Sequence, residues 1–103
     1  MRKTHALAQI LVAFLEDPLS RQWGYDLSKR AGVRSGVLYP ILRRMLDEGL
    51  LEDGWEQASA EDRRRPPRRY YKLTPDGYTE VRDLVRVMRD DARFGALLGG
   101  VAT

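Results

Sequence analysis

The sequence predicts a mainly helical α+β domain with one small β-hairpin. Three observations carry that expectation. Apolar residues recur at helical spacing in four separate segments. Two short strand-like runs flank a polar, arginine-dense loop. The resulting order is helix, helix, helix, strand, strand, helix. The chain has 103 residues, 43% of them hydrophobic, which suits one domain with a modest core rather than a disordered tail.

Thr4 can cap the first helix, because its hydroxyl can accept from an otherwise unpaired backbone N–H. Leu7, Ile10, Leu11 and Phe14 then build one apolar face, and Glu16-Asp17-Pro18 ends the helix. His5 beside the helix start reads as a surface or capping residue. Residues 18–24 form a connector. Tyr25 to Ala31 makes a two-turn helix that Gly32 stops, Val33-Arg34 is a tight turn, and Ser35 can cap the next helix.

The third helix, about Gly36 to Glu48, is two-faced. Val37, Leu38, Ile41, Leu42, Met45 and Leu46 fill half its circumference and read as core. Tyr39, Pro40, Arg43, Arg44 and Asp47 fill the other half. Gly49 stops it. A strand is expected over 50–56, weakened by Gly54, and a better one over 69–73, with Pro66-Pro67 near the end of the loop between them. Thr74-Pro75-Asp76 starts a last helix expected to run to about Leu98, where Gly99-Gly100 breaks it. Tyr78, Val81, Val85, Met88 and Ala92 follow one seam of that helix; Leu84, Val87, Phe94 and Leu98 lie on another. Two apolar stripes exceed what a three-helix core covers. One of them is therefore expected to meet a second copy of the chain, the alternative being a helix that folds back over its own domain.

Composition excludes several chemistries. There is no cysteine and one histidine, so disulfides, thiolate sites and a histidine-built zinc site are not expected, nor is a cofactor. Asp47-Glu48 and Asp90-Asp91 are sequence neighbours, so on a helix they diverge and cannot form a convergent acid–base pair. No apolar run approaches the roughly 20 residues of a membrane span. The longest, from Ile10 to Leu15, lacks the flanks of a signal peptide, which leaves the cytoplasm as the default location. Net charge is +3, but residues 61–72 hold six basic and two acidic side chains, so the remainder of the chain stands at −1. The basicity is one local patch, not that of a general polyanion binder.

Three helices with a turn between the second and third, then a hairpin, describe a winged helix-turn-helix over 1–74. Residues 75–103 supply a C-terminal dimerisation helix within the same compact unit. The third helix of such a motif lies in the major groove of DNA. On that logic Arg34, Ser35, Gly36, Tyr39, Pro40, Arg43 and Arg44 face double-stranded operator DNA. Gly36 permits close approach, Ser35 and the first helical amides grip a phosphate, and Arg43 pairs with guanine or with phosphate. The wing offers Arg63, Arg64, Arg65, Arg68 and Arg69 to phosphates or a narrow minor groove.

The run Leu38-Tyr39-Pro40 with Leu42, the Gly49-Leu50-Leu51 turn, Trp55, Arg69-Tyr70-Tyr71-Lys72-Leu73-Thr74 with Gly77, and Gly24-Tyr25-Asp26-Leu27 together resemble the PadR family of transcriptional regulators, over about residues 6–90. The single C-terminal helix is similar to the family's short subgroup. The resemblance implies a dimeric repressor. It implies that Tyr25, Tyr39, Pro40 and the wing arginines approach DNA. It also implies that the helix from Pro75 dimerises with help from the first helix, through Leu7, Ile10, Leu11, Phe14, Tyr78, Val81, Val85 and Met88. Many members respond to small aromatic or hydrophobic compounds near the dimer interface. Phe14, Trp23, Met88 and Phe94 could border such an effector cleft, or serve as ordinary dimer core. Two positions depart from the family pattern. Pro66-Pro67 stands where a glycine usually precedes the wing's basic pair, and Val37 stands where a small hydroxyl residue is common. A protein-interaction module on the same fold, without a DNA target, is the competing reading.

Overall fold

In the computed structural model, which describes residues 1–57 and 66–100, the chain runs α1 (His5–Glu16), β1 (Gln22–Trp23), α2 (Gly24–Ala31), α3 (Ser35–Asp47), β2 (Leu51–Trp55), β3 (Arg69–Leu73), α4 (Pro75–Arg89) and α5 (Gly95–Leu98). α1 begins as its sequence dictates, with the Thr4 hydroxyl accepting from the Leu7 amide at 3.1 Å. α2 ends on Gly32 in the left-handed region (φ 68), and α3 on Gly49 (φ 74). Both are conformations in which a side chain would be strained. α3 itself begins one residue earlier than expected. Arg34 occupies the cap position and makes no side-chain cap bond, so Ser35 is the first helical residue and not the cap.

The connector before α2 holds a strand. Gln22 and Trp23 pair antiparallel with Tyr71 and Tyr70, so the sheet has three strands in the order β1-β3-β2. A two-residue strand leaves no alternation to read. Gln22 is buried and bridges two elements: its amide donates to the Asp17 carbonyl at 3.2 Å, and its oxygen accepts from Arg30 Nη2 at 2.7 Å. The same Arg30 nitrogen also donates to the Ala13 carbonyl, closing the C-terminal end of α1. β2 pairs with β3 in a register that sets Asp53 opposite Tyr71 and Trp55 opposite Arg69. Gly54 serves this hairpin, since a Cβ there would lie 2.6–2.7 Å from the Tyr70 ring that covers it.

One core joins all the layers. Leu7, Ile10, Leu11 and Phe14 of α1 meet Leu27, Leu38, Leu42, Met45, Leu51 and Leu73, and α4 adds Val81, Val85 and Met88. In α3 only the narrow stripe Leu38, Leu42 and Met45 is fully buried; Ile41 and Leu46 are half-buried, and Val37 stays at the surface. Thr74 locks the start of α4 to the end of α3. Its hydroxyl accepts from the Gly77 amide at 2.9 Å and donates to the Gly49 carbonyl at 2.8 Å. Capping of this kind contributes about 1 kcal/mol.

The last helix does not run on to Leu98. α4 ends at Arg89, and the chain turns back so that Phe94 and Leu98 join the core above α1, with the His5 ring edge-on to Phe94 at 5.1 Å. Asp91 makes the turn. Its carboxylate accepts from the Arg93 amide at 2.9 Å and from the Arg93 guanidinium, a local bond that competes with helical continuation. Those bonds hold the Asp91 carboxyl down at about 2. The surplus apolar stripe is thus partly covered by its own chain.

Candidate nucleic-acid interface

With Leu38, Leu42 and Met45 turned inward, α3 presents Gly36, Pro40, Arg43 and Asp47 along its outer side, with Tyr39 beside them. Pro40 lacks the amide that would bond to the Gly36 carbonyl. Nothing lies within 4 Å of where a Gly36 Cβ would stand. Tyr39 is 44% exposed and leans on α2. Gly24, the first residue of α2, makes room for it: a Cβ there would come within 2.5 Å of the Tyr39 hydroxyl. Tyr25, the next residue, projects freely, with Lys29 Nζ 4.7 Å above its ring.

The root of the wing meets this surface. Alternation along β2 and β3 places Asp53, Trp55, Arg69 and Tyr71 on one face of the hairpin. That face and α3 enclose a groove of about 340 Å³ lined by Tyr39, Pro40, Arg43, Leu46, Arg69 and Tyr71. A smaller cleft of about 150 Å³ continues past Tyr25, Tyr39, Arg68 and Arg69 to Trp23. Arg69 lies 5.5 Å from the Tyr71 ring centre and 6.0 Å from that of Trp55, and its guanidinium donates to Asp53. The Asp53 hydrogen bond foremost raises the Arg69 pKa above the ordinary arginine value. Burial foremost pushes the Tyr71 hydroxyl up. Three further arginines carry acids: Arg43 with Asp47, Arg44 with Glu48, and Arg68 with Glu56.

Of the residues expected to face DNA, the structure therefore gathers Tyr25, Tyr39, Pro40, Arg43, Arg68 and Arg69 around one surface, with Ser35 and Gly36 exposed at the head of α3. Arg34 is exposed just before that helix, and Arg44 lines a second groove, of about 670 Å³, with Arg2, Gly36, Val37, Pro40 and Arg43. Arg63, Arg64 and Arg65 lie outside the described residues. Sequence reasoning passed over Asp53 and Glu56 as partners of the wing arginines. Period-2 alternation of β2 against β3 carries that signal once the register is known.

The dimerisation and effector expectations need correction. Leu7, Ile10, Leu11, Phe14, Val81, Val85 and Met88 are at most 1% exposed within the single chain, so they are its own core and present no surface to a partner. Tyr78 is half-buried beneath Arg82. Phe14, Met88 and Phe94 are at most 1% exposed, and Trp23 stands edge-on to Tyr70. What α4 and α5 leave outside is Val87 at 57% exposure, Leu97, and half-buried Leu84. Among the described residues no group of three His, Cys, Asp or Glu could hold a metal ion, and no helix is long and apolar enough to cross a membrane.

Residues 17–83 match the model of the transcriptional regulator PadR-like family. No curated protein matches the chain's sequence. Among solved structures, the fold is similar to a PadR-like transcription factor from Bacteroides fragilis (25% identity, TM-score 0.62, covering 93% of this chain and 89% of that one). It is also similar to a PadR family transcription regulator from Clostridium difficile (25% identity, TM-score 0.62, 80% and 86%). A third similar structure is smu.1704 from Streptococcus mutans (22% identity, TM-score 0.66, 97% and 93%).

Proposed function

The chain belongs to the PadR-like family of transcriptional regulators, not to an enzyme family, and we propose that it is a cytoplasmic repressor that binds operator DNA as a homodimer. One observation carries the reading. The polar side of α3 and the arginines at the wing root share a continuous groove, while the opposite side of α3 is core. In this reading Gly36, Tyr39, Pro40 and Arg43 enter the major groove, and Tyr25, Arg68 and Arg69 hold flanking phosphates. Occupying the operator excludes the transcription machinery.

A fluorescence anisotropy titration against promoter fragments tests the DNA reading. Arg43→Ala is expected to weaken the best fragment by roughly tenfold and to relax its preference over the others, as loss of a base contact does. Equal, weak affinity for every fragment, unmoved by Arg43→Ala, defeats specific readout and favours the interaction-module reading.

Two half-sites one helical turn apart require two reading helices on one particle. The apolar remainder on α4 and α5, Leu84, Val87 and Leu97, is the surface that supports a second copy. Sedimentation of the wild type is expected to show a dimer and of Val87→Asp a monomer. A wild type that stays monomeric at about 100 μM removes the dimer from the proposal. Release by a small aromatic or hydrophobic compound belongs to the same reading, with its site at that contact rather than among Phe14, Met88 and Phe94.

A further inference from the structure

The five described arginines around the reading surface, Arg34, Arg43, Arg44, Arg68 and Arg69, face four carboxylates that pair with them, Asp47, Glu48, Asp53 and Glu56. Four of these described arginines thus carry a carboxylate beside them, which offsets part of their attraction for phosphate. The four pairs are not equivalent. Arg43 and Asp47 are one turn apart on an open helix, with side chains 75% and 61% exposed, and solvent screens them. Arg69 and Asp53 are 41% and 31% exposed and stand on adjacent strands held in fixed register. Two guanidinium nitrogens of Arg69, Nε (at 2.7 Å) and Nη2, both donate to Asp53 Oδ2. The Trp55 and Tyr71 rings beside the guanidinium limit where else it can turn.

We propose that Asp53 is a specificity-determining residue, a built-in carboxylate that occupies the Arg69 fork in the free protein and must be displaced by a DNA phosphate. The inference rests on the DNA-binding reading above. A carboxylate and a phosphate offer the same acceptor geometry to guanidinium, so the two compete for one donor pair. A phosphate brought to the wing root only transiently, as on arbitrary sequence, gains little from exchanging one anion for another. When α3 is seated in its own operator, a phosphate is held against Arg69 and the exchange becomes effectively intramolecular. Asp53 thereby suppresses non-specific binding more than specific binding. It acts through Arg69 and touches no base.

The test uses a labelled random-sequence duplex of about 20 base pairs, with the best promoter fragment as comparison, titrated over a range of salt with wild type, Asp53→Asn, Arg69→Ala and the double variant; a gain as large on the promoter fragment as on the random duplex overturns the proposal. Asp53→Asn is expected to raise affinity for this duplex by about threefold to fivefold near 0.15 M salt. It should also steepen the slope of log affinity against log salt by about 0.9, one additional phosphate contact. In the Arg69→Ala background the same substitution is expected to change neither quantity. Asp53→Ala repeats the measurement should Asp53→Asn fold poorly. Asp53→Asn that leaves the slope unchanged, weakens binding, or gains equally with and without Arg69 overturns the proposal; the last result would mean a general charge effect. Wild type that binds neither the random duplex nor any promoter fragment defeats the DNA reading itself, whereas wild type that binds DNA while Asp53→Asn is silent defeats only this inference.

Discussion

Gly77→Ala is expected to destabilise the protein by roughly 3 kcal/mol, a large share of the stability of a domain this size. Helix propensity alone gives the opposite sign, because alanine is better than glycine inside a helix by about 1 kcal/mol. Packing decides the outcome. Gly77 lies in the first turn of α4, and a Cβ there would overlap the carbonyl oxygen, carbonyl carbon and Cα of Leu50. These are backbone atoms, and they cannot swing aside as a side chain can. The Leu50 segment is held on both sides: its amide donates to the Met45 carbonyl at 2.9 Å, and its carbonyl accepts from the Thr74 amide at 3.1 Å. Relief therefore requires α4 to lift off the turn after α3, which breaks the Thr74 cap and loosens Val81 from the core. Urea denaturation checks this through a lower midpoint. Gly36→Ala is the control, since the same change at an open, exposed helical site should leave the midpoint equal or slightly higher. Equal behaviour of the two variants would show that α4 does not rest on Leu50.

Gly36→Leu should fold as the wild type does and lose about 100-fold in affinity for its best DNA fragment, close to 3 kcal/mol. The position is exposed, its surroundings are empty, and leucine is a good helix former, so the free protein has no reason to object. The consequence appears only when another surface comes within van der Waals reach of the α3 backbone. A helix seated in the major groove does that at its N-terminal turn. Circular dichroism reports the intact fold and anisotropy the lost binding. A Gly36→Leu protein that binds its DNA as tightly as the wild type would move the reading surface away from the head of α3.

Local chemistry made much of the architecture legible. Thr4 and Thr74 carry hydroxyls where helices start, Gly32 and Gly49 stand where helices stop, and the spacing of Leu38, Leu42 and Met45 turns one side of α3 inward. The strand β1 was hidden, because Gln22-Trp23 is a strand only by virtue of the Tyr70–Tyr71 edge it meets. The turn at Asp91 was hidden for a related reason. An acid two residues before Arg93 reads equally well as a solvated helical face or as a local bond acceptor, and the burial of Phe94 and Leu98 selects the second. The same step corrects the dimerisation set, since the apolar seams of α1 and α4 are legible as seams while their partner is not.

For the candidate site, the residue types were readable and their company was not. Tyr39 and Arg43 are on the polar side of α3 by helical periodicity alone. That Arg69 joins them in one groove, and that Asp53 holds it there, results from the register of β2 against β3 and from the packing of the hairpin on α3. The amino-acid order by itself determined the elements, their caps and stops, the inward side of α3 and the local excess of arginine, all of which depend on residues within a turn or two of one another. The tertiary structure decided which apolar seam is core, where the last helix breaks and which carboxylate meets which arginine. These are contacts between residues distant along the chain, and periodicity shows which side chains share a face without showing what covers it.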